Sequence, residues 1–221
     1  RSTPCRGEPV VDINRRFGVG PADRVLAVSA LSFDLSVYDI FGVLAAGGCV
    51  VFPSPSRVQD PVHWSELVER HGVTLWNSVP ALLQAWVESR GRAAVFAGST
   101  LRVALLSGDW IPVTLPDAVR AQHPGLEVVS LGGATEASIW SVCYPIGGVP
   151  ADWTRIPYGK PLTNQTLHVY DAMMRPCPVW TTGEIYIGGA GVARGYWADE
   201  ERTAERFVVH PVTGERLYRT G

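Results

Sequence analysis

Residues 60–91 read DPVHWSELVERHGVTLWNSVPALLQAWVESRG, and their periodicity sets the fold class. Asp60 suits a helix N-cap, Pro61 the first turn, and Gly72 a stop, while Trp64, Leu67 and Val68 recur on one helical face. The apolar, partly β-branched run VTLWNSVP follows and reads as a buried strand, after which VPALLQAWVESRG returns to helical spacing. Outward from this stretch, DRVLAVSA (23–30), GCVVFP (48–53), LRVALLSG (101–108) and LEVVSLGG (126–133) supply four more strands, and VTLPDAVRAQHPG (113–125) another helix. Strand and helix alternating at roughly 25-residue intervals imply right-handed crossovers and a mostly parallel sheet layered with helices.

After about residue 145 the texture changes. Prolines and glycines punctuate short alternating runs such as QTLHVYD (165–171) and GEIYIGG (183–189), which read as part of a β-barrel-like subdomain. The expected division is 1–145, an α/β subdomain binding substrate and nucleotide, and 146–221, the β subdomain, both partial. GGAGVARG (188–195) is neither GxGxxG between a strand and a helix nor GxxxxGK[ST], so Rossmann and Walker loops are excluded.

Composition narrows the function classes. With 46% apolar residues, 19 basic and 21 acidic side chains and a net charge of −2, the chain supports a sizeable core and carries no basic footprint for nucleic acid or anionic membrane. No apolar run reaches the roughly 18 residues of a membrane span, and the first residues lack a signal-peptide core. Cys5, Cys49, Cys143 and Cys177 lie far apart with no metal spacing, which favours reduced thiols and a cytoplasmic setting.

In open parallel sheets ligands bind beyond the carboxyl ends of the strands. That rule selects Asn77, Ser107 with Gly108, and Leu131 with Gly132 and Gly133, each where a strand runs out. A second oddity is ALSFDLSVYDIFGVLAAGG (30–48), an apolar run that holds Asp34 and Asp39. A buried acid there needs a cationic partner, because an unpaired buried charge is costly. For Asp34 a helix N-cap ahead of SVYDIF is the alternative; Asp39 reads as exposed or locally paired.

FDLSVYDIF (33–41), LGGATEAS (131–138), GEIYIGGAGVARGYW (183–197) and YRTG (218–221), with IPYGKPLTNQTLHVYD (156–171) between, resemble in order and spacing the core motifs of adenylation domains of nonribosomal peptide synthetases, within the acyl-adenylate-forming enzymes. The resemblance implies an incomplete large N-terminal portion of such an enzyme. It also implies the reaction of ATP with an amino acid to give aminoacyl-AMP and pyrophosphate, then transfer to the phosphopantetheine thiol of a carrier-protein domain. Mg²⁺, the carrier and other synthetase domains are the implied cofactor and partners.

By the same resemblance Asp34 receives the substrate's α-ammonium group, and the remaining pocket positions are Leu35, Tyr38, Asn77, Leu105, Ser107, Leu131, Ile139 and Trp140. Their string, D-L-Y-N-L-S-L-I-W, resembles the specificity code of cysteine-activating domains, whose products commonly become thiazolines or thiazoles. Gly108, Gly132, Gly133, Ala134 and Thr135 fall in the adenine and phosphate region, and Glu136 is the implied Mg²⁺ ligand. Where many relatives place an aromatic residue to stack on adenine, this chain has Gly132.

No catalytic residue is assigned. The sole lysine, Lys160 in YGKPL, does not match the family's reactive lysine and reads as structural or solvated. The family's phosphate loop has no counterpart in RSTPCRGEP, and YRTG stops one residue short of the aspartate that grips the ribose. The chain by itself is therefore expected not to turn over. Two other classes stay open: a degenerate, noncatalytic adenylation scaffold or interaction module, and an acyl-CoA-synthetase-like ligase of carboxylic acids, against which Asp34 argues.

Overall fold

The computed structural model describes residues 8–89, 91 and 98–221; Cys5 lies outside the described residues. The chain forms two compact units, each discontinuous in sequence. One, the parallel unit, comprises Ile13–Leu131 and Tyr144–Tyr158; the other, the antiparallel unit, comprises Arg1–Asp12, Gly132–Cys143 and Gly159–Gly221. The observed partition thus places 146–158 in the parallel unit and gives 8–12 and 132–143 to the antiparallel one, whereas the sequence suggested one boundary after residue 145.

All five expected strands are present in the parallel unit: β1 (Arg24–Leu26), β2 (Cys49–Val51), β3 (Leu75–Ser78), β4 (Val103–Leu106) and β5 (Glu127–Gly132). Neighbours in the order β2-β1-β3-β4-β5 pair parallel. The helices are α1 (Glu8–Arg16), which enters this unit at Ile13, then α2 (Leu35–Val37) and α3 (Val43–Ala45) joined by a π turn over Tyr38–Gly42, and α4 (Pro61–His71), α5 (Pro80–Ser89) and α6 (Leu115–Gln122). Helix α4 forms as its sequence dictates. The Asp60 carboxylate accepts from the Val62 amide at 2.9 Å, Pro61 occupies the first turn, and Gly72 closes the helix at φ 59°.

Register and alternation assign the two faces of this sheet. Trp76 pairs with Ala104 and Ala104 with Val128, and these residues join one core cluster with Trp64, Leu83 and Trp86 of α4 and α5. Trp76 and Trp86 stack 4.7 Å apart at 8°, and Trp64 meets Trp76 edge-on at 5.8 Å. Asn77 pairs with Leu105 and Leu105 with Val129, so Asn77 and Leu105 are on the opposite face, and the period of two carries Ser107 and Leu131 there as well. Four residues expected in the substrate pocket therefore share one face.

A polar node holds the amino-terminal side of the sheet. Asp23, 5% exposed, takes a bidentate pair of hydrogen bonds from Arg102 at 2.8 Å each, plus the Thr74 hydroxyl at 2.7 Å and the Gly20 amide at 2.9 Å. Arg102 also donates to the Phe17 carbonyl at 2.6 Å. Burial alone would raise the Asp23 carboxyl, but these donors outweigh it and hold it below the usual carboxylate range.

In the antiparallel unit β6 (Val142–Ile146) begins and pairs with β7 (Lys160–Pro161), while β8 (Gln165–Tyr170), β9 (Glu184–Gly189), β10 (Phe207–Val209) and β11 (Arg216–Arg219) form an antiparallel sheet in the order β10-β11-β9-β8. Helix α7 (Glu200–Arg206) is capped by Asp199, whose carboxylate accepts from the Arg202 amide at 3.0 Å. Lys160 is exposed on β7, in keeping with a solvated role. Cys49, Cys143 and Cys177 are free thiols. No helix among the described residues is long and apolar enough to cross a membrane.

Candidate functional site

The two acids in the 30–48 run sit in different surroundings. Asp34 is half-buried at the N-cap position of α2, yet its side chain makes no capping hydrogen bond, so the N-cap alternative does not account for it. Asp39, expected to be exposed or locally paired, is 0% exposed and bonds a residue 38 positions away: Asn77 Nδ2 donates to Asp39 Oδ1 at 2.8 Å. The correction has a physical cause. Asp39 lies four residues after buried Leu35 and so shares its inward helical face, where it meets a partner too distant in sequence for local pattern to reveal.

Burial pushes the Asp39 carboxyl up to about 7, with the Asn77 hydrogen bond opposing the shift. Asn77 Nδ2 also donates to the Leu35 carbonyl at 3.1 Å, which ties the start of α2 to the carboxyl end of β3. Leu35, Tyr38, Asn77, Leu105, Ser107 and Leu131 are all buried. Tyr38 commits its hydroxyl to Asn14 Oδ1 at 2.9 Å, and Asn14 donates onward to the Gly42 carbonyl at 2.8 Å, so α1 braces the π turn. Gly108 sits at φ 83°, where a Cβ would come within 3.2 Å of Val79 and 3.3 Å of Phe33. Phe33 and Val79 also line a cavity of about 280 Å³ with Ser29, Trp64 and Leu82 at the carboxyl ends of β1 and β3. A larger groove of about 430 Å³ between α5 and α6 contains none of the expected site residues.

In the antiparallel unit residues 132–141 close on themselves. The Ser141 amide donates to the Gly132 carbonyl at 2.7 Å, and Gly133 has no room for a Cβ, which would lie 2.5 Å from the Ile139 carbonyl oxygen. Thr135–Ala137 make a 3₁₀ turn after the extended Ala134, then Ser138 and Ile139 both adopt positive φ, 65° and 70°. For a β-branched residue such as Ile139 that backbone is strained, the kind of local cost that persists where the surroundings impose it. The loop is held by the Ser138 hydroxyl donating to the Gly191 carbonyl at 2.8 Å and by the Ala193 amide donating to the Glu136 carbonyl at 2.7 Å. The glycine-rich run 188–195 is therefore a packing surface for this loop. Trp140 is 1% exposed, whereas Thr135 is exposed and Glu136 half-buried.

Tyr196 donates its hydroxyl to Glu136 Oε1 at 2.6 Å, and Tyr218 joins both residues. Burial and this hydrogen bonding raise both phenols above their usual range. Neither tyrosine was selected from sequence; GYW and YRTG mark the segments but not the side chains that reach Glu136. Among the described residues no three His, Cys, Asp or Glu side chains cluster to hold a metal ion. A lone carboxylate fits Mg²⁺, which commonly binds through one or two carboxylates with water and phosphate oxygens completing its shell.

Comparison with known proteins places this geometry. Residues 8–197 match the family model of the AMP-binding enzymes. Pyochelin synthetase PchF of Pseudomonas aeruginosa is 53% identical over 215 residues, 96% of this chain but 12% of that protein. Bacitracin synthase 1 of Bacillus licheniformis is 45% identical over 216 residues, 96% of this chain and 4% of its own length. The solved structure of the nonribosomal peptide synthetase FmoA3 in its α-methyl-L-serine-AMP bound form is 51% identical with a TM-score of 0.93, covering 98% of this chain and 25% of that one. The chain thus spans a small part of the relatives it matches, and it belongs to the AMP-binding enzymes as part of the adenylation region of a nonribosomal peptide synthetase.

Proposed function

We propose that this region takes part in activating an amino acid, most specifically L-cysteine: the substrate carboxylate attacks the α-phosphorus of ATP, aminoacyl-AMP forms and pyrophosphate leaves. The acyl group then passes to the phosphopantetheine thiol of a carrier domain in the same synthetase system. The observation that carries this reading is the shared sheet face of Asn77, Leu105, Ser107 and Leu131, with Asn77 bonded to the Leu35 carbonyl one residue beyond Asp34. Asp34 receives the α-ammonium group. Leu35, Tyr38, Leu105, Leu131, Ile139 and Trp140 supply apolar walls, and Asn77 and Ser107 the polar contacts. Gly108, Gly132, Gly133 and Ala134 allow the nucleotide close to the backbone, and Thr135 bonds a phosphate oxygen. Glu136 holds Mg²⁺, which when bound offsets the negative charge of the triphosphate.

A serine-type substrate is the second reading, favoured by the α-methyl-L-serine adenylate in the FmoA3 structure. The two substrates differ by sulfur against oxygen, so fit and desolvation of about 1–3 kcal/mol separate them. The test is amino-acid-dependent ATP–pyrophosphate exchange by the full polypeptide that carries this region, with Asp34→Ala beside it. Cysteine-dependent exchange abolished by Asp34→Ala is the expected result. Unchanged exchange in that variant removes the α-ammonium assignment, and calorimetry in which neither ATP nor amino acid binds supports a scaffold instead.

A further inference from the structure

Asp39 and Asn77 are both 0% exposed. Asn77 spends its Nδ2 on two acceptors, the Leu35 carbonyl at 3.1 Å and Asp39 Oδ1 at 2.8 Å. Exchanging the amide oxygen and nitrogen would set an acceptor against both, so the amide has one stable orientation. Its consequence is that Asn77 Oδ1 points elsewhere, fully buried and with no partner, as does Asp39 Oδ2. A buried acceptor left without a donor forfeits a hydrogen bond that water would supply, and native proteins keep few such atoms without reason.

We propose that Asp39 is a positioning residue for substrate selection: by accepting from Nδ2 it fixes the Asn77 amide so that Asn77 Oδ1 takes a hydrogen from the side chain of the bound amino acid. This rests on the reading of Asn77 as a substrate contact. The chemistry calls for a donor on the β-heteroatom, the S–H of cysteine or the O–H of a serine-type substrate. α-Aminobutyrate, with a methyl group in that place, leaves Oδ1 unpaired, and a site built for a donor rejects the analogue that lacks it. Asp39 accepts through Oδ1 whether or not it is ionised, so the device does not depend on its proton.

The experiment measures pyrophosphate exchange by the full polypeptide with cysteine, serine and α-aminobutyrate, in wild type, Asp39→Leu, Asp39→Asn and Asn77→Ala, alongside thermal unfolding. Leucine nearly matches aspartate in shape and removes a buried acid, so the fold is expected to hold. In Asp39→Leu the kcat/KM ratio of the preferred donor-bearing substrate over α-aminobutyrate should fall roughly three- to tenfold, the size of one neutral hydrogen bond. The loss should appear in the amino-acid KM with the ATP KM unchanged. Asp39→Asn, whose amide oxygen replaces Oδ1, should keep the ratio, and Asn77→Ala should lower it with no further loss on adding Asp39→Leu.

A wild-type ratio in Asp39→Leu, or an equal loss on all substrates through kcat, overturns the proposal. Should Asp39→Leu fail to fold, a wild-type ratio in Asn77→Ala overturns it alone. Wild-type preference for another donor-bearing amino acid sinks only the cysteine reading, and the same ratio is then measured on that substrate. Preference for a side chain without a donor sinks both.

Discussion

Ionising Asp39 means placing a charge where no solvent reaches it and one hydrogen bond meets it. Its folded-state pKa, raised to about 7, exceeds the unfolded value near 3.8. The folded protein therefore holds the proton that the unfolded chain releases, and the stability this gives is present below about pH 4 and lost as pH rises through about 7. Asp39→Asn keeps the acceptor and cannot ionise. Denaturant unfolding should show the variant more stable than wild type at pH 8 by an amount on the order of a few kcal/mol, with the gap closing toward pH 4. A constant difference across that range would mean that Asp39 titrates normally. The burial of this residue was not read from sequence because a carboxylate in an apolar run invites a local pairing, whereas its partner Asn77 lies 38 residues on, beyond any local pattern.

Helix α4 shows where sequence reasoning succeeds. Its cap, first-turn proline, apolar face and terminal glycine are local features, and each recurs in the structure at the expected residue. Asp60→Ala should cost about 1 kcal/mol in unfolding free energy by removing the acceptor for the Val62 amide. Arg57, which donates to Asp60 at 2.8 Å, retains Glu66 at 2.9 Å, so its loss adds little, and a cost near zero would show that the first turn is held by packing alone. The 132–141 loop is the opposite case. The glycines in LGGATEAS announce close backbone approach, but the positive φ of Ser138 and Ile139 comes from anchors at Gly191 and Ala193, more than fifty residues on, which no local pattern encodes. The strands β6, β7, β10 and β11 were likewise not legible: two contain proline, and all are five residues or fewer.

Across the parallel unit, the five strands, their parallel sense and the strand ends at Asn77, Ser107 and Leu131 were legible from the alternation of strand and helix patterns, whereas the strand order was not, because it depends on contacts between segments distant in sequence. The polar node at Asp23 was not legible either, since its partners Thr74 and Arg102 come from strand entrances distant in sequence. This node contributes to the acid limb of the fold's stability. A carboxyl depressed in the folded state gives stability that is present above its unfolded pKa near 3.8 and is lost as pH falls through the lower folded value. Asp39 acts in the other direction, its contribution being lost as pH rises toward 7. Arg102→Met removes the bidentate partner and leaves Asp23 buried with only Thr74 and Gly20 as donors. Because Arg102 is partly exposed, the expected cost at pH 7 is about 2 kcal/mol, below that of a fully buried pair. Unfolding followed through the buried Trp64, Trp76 and Trp86 stack should then show a shallower loss of stability below pH 4 in Arg102→Met than in wild type. An identical acid limb in the two proteins would assign it to other carboxylates.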